Sequence, residues 1–116
     1  MILPIYTYGQ PVLRKLAEDI TPDYSDLKQI IKDMFESLTA SDGVGLAAPQ
    51  IGKAIRLVVI DLTVLGDEFP EYKEFKKAYI NARIVDTDDS ETKSMEEGCL
   101  SLPGIHENVT RPTRIH

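Results

Sequence analysis

The segment from Leu27 to Leu38 carries Leu27, Ile30, Ile31, Met34, Phe35 and Leu38 at steps of three and four. On an α-helix that spacing gathers all of them on one stripe, while Lys28, Gln29, Lys32, Asp33 and Glu36 turn toward water. Thr21-Pro22 or Ser25 can cap the start, and the stretch Ser41-Asp42-Gly43-Val44-Gly45 ends it. A helix that is apolar along one side must bury that side, so the stripe calls for a second layer of structure.

That layer is expected to be a sheet. Ile55, Leu57, Val58, Val59 and Ile60 form a β-branched run, and Tyr79 to Val85 form a weaker one. The polar stretch GDEFPEYKEFKK, with Gly66 and Pro70, connects them over the surface. DTDDSET reads as a turn before a third extended segment that leads into MEEGCLS, and Val109 to Ile115 opens a last strand. Before the main helix, Leu13 to Ile20 can form a short one entered through Pro11, with Leu13, Leu16 and Ala17 on one side. One clear helix followed by short strands lacks the alternation of a doubly wound sheet. The expected class is α+β, a helix packed against short, mostly antiparallel strands. At 116 residues, positions 1–116 are read as a single domain.

Thirteen Lys and Arg against nineteen Asp and Glu leave a net charge of −6, which argues against a surface that neutralises nucleic-acid phosphates. The longest aliphatic run, Leu57 to Ile60, is far too short for a bilayer, and Met1 to Tyr8 lacks the basic flank and apolar core of a signal peptide. A cytoplasmic location is expected, with no membrane and no direct nucleic-acid partner. The one cysteine, Cys99, has no internal disulfide partner, which leaves it as core filler, nucleophile or metal ligand.

Two stretches stand out chemically. In DGVGLAAPQIG, Asp42 to Gly52, the small residues let a ligand approach the backbone at Gly43 and Gly45, Pro49 removes a donor and stiffens a strand edge, and Gln50 can both donate and accept. The same composition also suits a helix C-cap followed by a small-residue packing contact. In EEGCLS the thiol follows a glycine in an extended segment. An isolated buried cysteine is more often an inert small hydrophobe than a reactive group.

GVGLAAPQ and EGCLS, in this order and about fifty residues apart, resemble the first two signature motifs of the peptide deformylase family. The resemblance extends to ILPI, PVLRK, IKDMFESL, VVID and YINARI, and so covers nearly the whole chain. It implies a metal-dependent hydrolase that removes the formyl group from the N-terminal methionine of new polypeptides. The metal is usually Fe2+, with Zn2+, Ni2+ or Co2+ as substitutes, held by one cysteine and two histidines of a helical H-E-x-x-H. By resemblance Cys99 is the thiolate ligand. Gln50 bonds the metal-bound water or the formyl oxygen, and the backbone N–H of Leu100 helps hold the oxyanion. Gly43, Val44 and Gly45 accommodate and pair with an extended formyl-methionyl peptide, and Met95 contributes to a methionine pocket. Glu97 stands where the family keeps an acid near the metal loop, with Arg111 as its partner, although a solvated surface charge is an equal reading of Glu97.

No H-E-x-x-H occurs in the sequence, so two ligands and the catalytic glutamate of the family pattern have no counterpart. His106, expected in a loop, and the terminal His116 lack the one-turn spacing of paired ligands and are read as surface histidines. The expectation is an amino-terminal portion of a longer deformylase, truncated before its C-terminal metal-binding helix, inactive alone, and prone to self-association through the face left uncovered. The alternatives are a non-catalytic module that binds formyl-Met peptides, and a cysteine hydrolase with Cys99 as nucleophile and His106 as base.

Overall fold

A computed structural model describes all 116 residues. Helix α1 spans Leu27–Ala40 and buries Ile30, Met34 and Leu38, with Leu27, Ile31 and Phe35 half-buried against the same core. Its start differs from expectation. Asp26 precedes it at φ +62° without a side-chain cap, and the Thr21 hydroxyl donates to Asp23 Oδ1 at 2.6 Å. At the other end Asp42 takes the left-handed conformation at φ +57°, as a short polar side chain permits, and neither Gly43 nor Gly45 is left-handed. Asp33, expected in water, is buried along with Ser37. The Met1 α-ammonium and Gln29 Nε2 reach Asp33 Oδ1 at 3.0 and 2.8 Å, and Ser37 Oγ accepts the Leu3 N–H at 2.7 Å. The N-terminal segment therefore runs along α1 and covers part of its polar side.

The apolar stripe packs on β1 (Gly45–Ala47) and β2 (Leu57–Asp61), and the exposed strand β3 (Lys76–Ile80) extends the sheet beyond β2, all paired antiparallel in that order. Leu46 stands opposite Val59, and Val59 opposite Ala78. Strand alternation sends Leu46, Leu57 and Val59 inward, where they meet Met34 and Leu38; these side chains are essentially inaccessible to water. Burial of each such residue contributes about 1.5–3 kcal/mol. Being first in the sheet order, β1 leaves one edge open.

The second strand run begins and ends earlier than its residue types suggested. It pairs from Lys76 and stops at Ile80, because Asn81 turns left-handed at φ +56° and its side chain accepts from the Ile20 N–H (2.7 Å) and donates to the Ile20 carbonyl (2.9 Å). Ile84 and Val85 are exposed. The expected helix at Leu13 to Ile20 is also absent. Only Pro11–Arg14 makes a single 3-10 turn, Leu16 is almost fully exposed, and Glu18 bridges to Ile55 in parallel fashion.

Strands β4 (Thr87–Cys99) and β5 (Leu102–Ile115) form a long antiparallel ribbon. DTDDSET lies within β4 from Thr87 onward and is no turn; the register slips between Asp88 and Thr92, where Asp88 Oδ1 accepts both the N–H and the hydroxyl of Ser90. β5 starts at Leu102, well before Val109, so His106 sits on a strand opposite Gly98. The ribbon meets the rest of the molecule at its turn, where Leu100 packs on the core and the Ser101 carbonyl accepts the Tyr8 N–H at 2.8 Å. No helix is long and apolar enough to cross a membrane.

Candidate functional site

The turn Cys99-Leu100-Ser101 at the end of the ribbon lies against Gln50, which the 3-10 turn Ala48–Ile51 presents just after β1. Pro49 belongs to that turn and not to a strand edge. It sits within the first two positions, where a missing N–H leaves no partner unsatisfied. The Gln50 side chain is held at both ends. Its Oε1 accepts the Ala47 N–H at 3.0 Å, and its Nε2 stands 3.1 Å from Ser101 Oγ and 3.7 Å from Cys99 Sγ. The thiol is free and exposed.

A cavity of about 550 Å³ opens beside these groups. Residues 41–45 line one part of it and residues 98–100 and 102–106 another, with Gln50, Cys99 and Leu100 all on its wall. Gly43 is closely packed here. A Cβ on it would lie 2.9 Å from Leu38 Cδ1 and 3.0 Å from Leu100 Cδ1. Gly98 is likewise closed over by the His106 ring, whose Nδ1 would be 2.8 Å from an added Cβ. Glu96 is the acid paired with that ring, at 3.8 Å, beyond hydrogen-bond distance.

Backbone groups complete the wall. The Val44 carbonyl accepts the Asp61 N–H at 2.8 Å and so faces β2. Alternation along an antiparallel strand then turns the polar groups of Gly45 to the open edge of β1. Leu100 lies outside both strands, and its N–H has no backbone partner in the chain.

The structure thus brings Gly43, Val44, Gly45, Gln50, Cys99 and Leu100 to one cavity and leaves two other candidates apart. Met95 is exposed on β4 opposite Val109, and Glu97 pairs with Arg111; neither lines the cavity. Arg111 Nε and a terminal nitrogen donate to the two Glu97 oxygens at 2.6 and 2.8 Å, which holds the Glu97 carboxyl below its ordinary range.

A family model for polypeptide deformylase matches residues 2–116. The chain belongs to the polypeptide deformylase family. A peptide deformylase of Flavobacterium johnsoniae is 49% identical over 118 residues, covering 96% of this chain and 60% of that protein. One from Flavobacterium psychrophilum is 45% identical, covering 99% of this chain and 62% of its relative. The chain therefore spans about three fifths of the length of these relatives. The crystal structure of peptide deformylase from Thermotoga maritima superposes with a TM-score of 0.83 at 39% identity, covering 99% of this chain and 71% of that one. The deformylase of Ehrlichia chaffeensis in complex with actinonin gives 0.81 at 33% identity, covering 98% and 65%.

The three-ligand metal site that the resemblance implies is not assembled by the residues of this chain. No three His, Cys, Asp or Glu side chains gather at one point. Cys99 is one exposed sulfur beside an amide, and His116 bonds through its backbone to Val85 and Asp86, at the far end of the ribbon from Cys99.

The sequence assigned no role to Ser101, which is 6% exposed and donates its hydroxyl to the Tyr6 carbonyl at 2.6 Å, or to the cavity wall from Leu102 to Ile105. The signal for Ser101 is its place at the end of EGCLS, two residues after the cysteine. Nothing in the sequence tied it to Tyr6.

Proposed function

We propose that this chain supplies the peptide-binding wall and the formyl-polarising groups of a peptide deformylase, an enzyme that hydrolyses the N-formyl group from the terminal methionine of new polypeptides in the cytoplasm. The observation that carries the reading is the convergence of Gln50, Cys99 and Leu100, whose N–H has no backbone partner, on one cavity beside an open strand edge. A peptide laid along β1 adds a strand through the polar groups of Gly45, a mode indifferent to side chains and suited to many nascent chains. Its formyl oxygen then meets two donors, the Gln50 amide and the Leu100 N–H. Each donor fixed before reaction contributes about 3 kcal/mol to holding a developing oxyanion.

Cys99 is the proposed thiolate ligand for Fe2+, or for Zn2+, Ni2+ or Co2+ in its place. With one such ligand and no H-E-x-x-H glutamate in its sequence, the chain binds metal weakly and deformylates little or nothing by itself. Incubation with ferrous or nickel ion and formyl-Met-Ala-Ser checks this. Turnover at the level of an intact deformylase overturns it.

The open edge of β1 beside a cavity without a full ligand set favours a second reading, a module that binds formyl-Met peptides without chemistry. Titration of a labelled peptide with and without metal separates the two: binding that metal does not change, without turnover, supports the module, and binding that metal strengthens supports the enzyme. Self-association belongs to the same proposal. Met95, Ile105 and Ile115 are exposed on the ribbon, and a molar mass that rises with concentration is the expected light-scattering result.

A further inference from the structure

An amide side chain can present either its oxygen or its nitrogen to a ligand, and for Gln50 the difference decides whether the formyl oxygen meets a donor or a repelling acceptor. We infer that Ser101 is a positioning residue that sets this choice, through a chain of hydrogen bonds whose direction is fixed at both ends by the backbone.

At one end stands the Tyr6 carbonyl, which can only accept; Ser101 Oγ lies 2.6 Å from it, so the single hydroxyl proton is committed there. What Ser101 Oγ has left is a lone pair, and the group 3.1 Å away on Gln50 must therefore be a donor, the Nε2 amide. At the other end stands the Ala47 N–H, which can only donate; its partner at 3.0 Å must be Gln50 Oε1. The two ends agree. A reversed amide would set oxygen against oxygen at Ser101 and N–H against N–H at Ala47. With one amide proton given to Ser101, the other is left on the side of Cys99, 3.7 Å from the sulfur, in the cavity.

The surroundings hold the chain of bonds in place. Ser101 is buried, so water does not compete for its hydroxyl. The Tyr6 N–H donates to the Gln50 carbonyl at 2.7 Å and the Tyr8 N–H to the Ser101 carbonyl at 2.8 Å, closing a ring that joins the N-terminal segment to both motif loops. A hydroxyl at position 101 is thus required for its hydrogen-bond direction as well as its size. This assignment deepens the reading of Gln50 as the formyl-oxygen donor and rests on it for its functional meaning.

The test is nuclear magnetic resonance on the full 116-residue chain. In the unsubstituted protein the Gln50 side-chain amide protons are expected to show Overhauser contacts to the β-protons of Ser101 and Cys99. Contacts to Ala47 with none to Ser101 overturn the proposal, and this measurement requires no variant. In Ser101→Ala the Gln50 side-chain amide is expected to exchange with solvent at least about ten-fold faster, while the β2 amides of Leu57 and Val59 keep their protection. Unchanged Gln50 exchange with intact β2 protection overturns it as well. Neither readout contains a formyl peptide, so either result stands apart from the peptide titration that tests the function itself.

Discussion

Leu100 closes over the place where Gly43 would carry a side chain: a Cβ there would meet its Cδ1 at 3.0 Å, and Leu38 Cδ1 at 2.9 Å from the helix side. The first signature stretch, the second, and α1 are thereby locked together at one point, with the cavity beside it.

Gly43→Ala is therefore expected to lower stability by about 1–3 kcal/mol in urea unfolding, the range for forcing a methyl into a packed site. Gly45→Ala is the contrast. Its added Cβ has only the Val59 carbonyl at 3.8 Å as a neighbour, and a change within about 0.5 kcal/mol is expected. Equal losses for the two variants would refute the packing account.

The buried stripe of α1 makes a second contrast. Met34 has no accessible surface, and Met34→Ala should cost about 2–5 kcal/mol through lost burial and the cavity left behind. Leu16, placed on a helix by the residue pattern, is 95% exposed, and Leu16→Ala should change the unfolding free energy by less than about 0.5 kcal/mol.

Asn81 ends β3 and binds both backbone groups of Ile20. Asn81→Ala removes two hydrogen bonds to a buried residue and puts alanine at φ +56°, an expected loss of about 2–4 kcal/mol. Asn81→Gly relieves the backbone strain but not the lost bonds, and about 1 kcal/mol should return. A glycine variant no more stable than alanine would show that the left-handed backbone carries no cost here.

The ion pair at the chain start predicts a pH profile. Hydrogen bonds from the Met1 ammonium and then Gln29 hold the Asp33 carboxyl below its ordinary range, so its contribution is present above the unfolded pKa and lost as pH falls through the folded one. The Met1 amine is raised, by Glu36 first and Asp33 second, so its contribution is present below the unfolded value near 8.0 and lost as pH rises through the folded one. Acetylation of the α-amine should remove the alkaline loss and lower the melting temperature at neutral pH. Identical profiles for the acetylated and free chains would exclude the pair as a contributor.

These outcomes also mark what the sequence could reveal. The α1 stripe is periodic over enough residues for burial to follow from spacing, and it lies where expected; the apolar run around Val58 marked a strand, which begins at Leu57 and whose alternating burial only the pairing shows. Asp33 escaped that reading, because its burial depends on an ammonium thirty-two positions away. Strand β3 was misplaced for a related reason: its limits come from pairing with β2 and from the Asn81 turn, while Ile84 and Val85 have strand-forming side chains and no strand to join. At the site, Gln50, Cys99 and Leu100 were legible through two motifs. Ser101 and Tyr6 were not, since a hydroxyl and a carbonyl acquire meaning only when a fold makes them neighbours.

The contact between Ser101 and Tyr6 spans ninety-five positions. A chain emerging from a ribosome releases Tyr6 ninety-five residues before Ser101, so the earlier segment waits, unpaired at this seam, until the cysteine loop follows it. Such distant closure is slow in folding, and it makes assembly of the pocket wait on the later of the two segments.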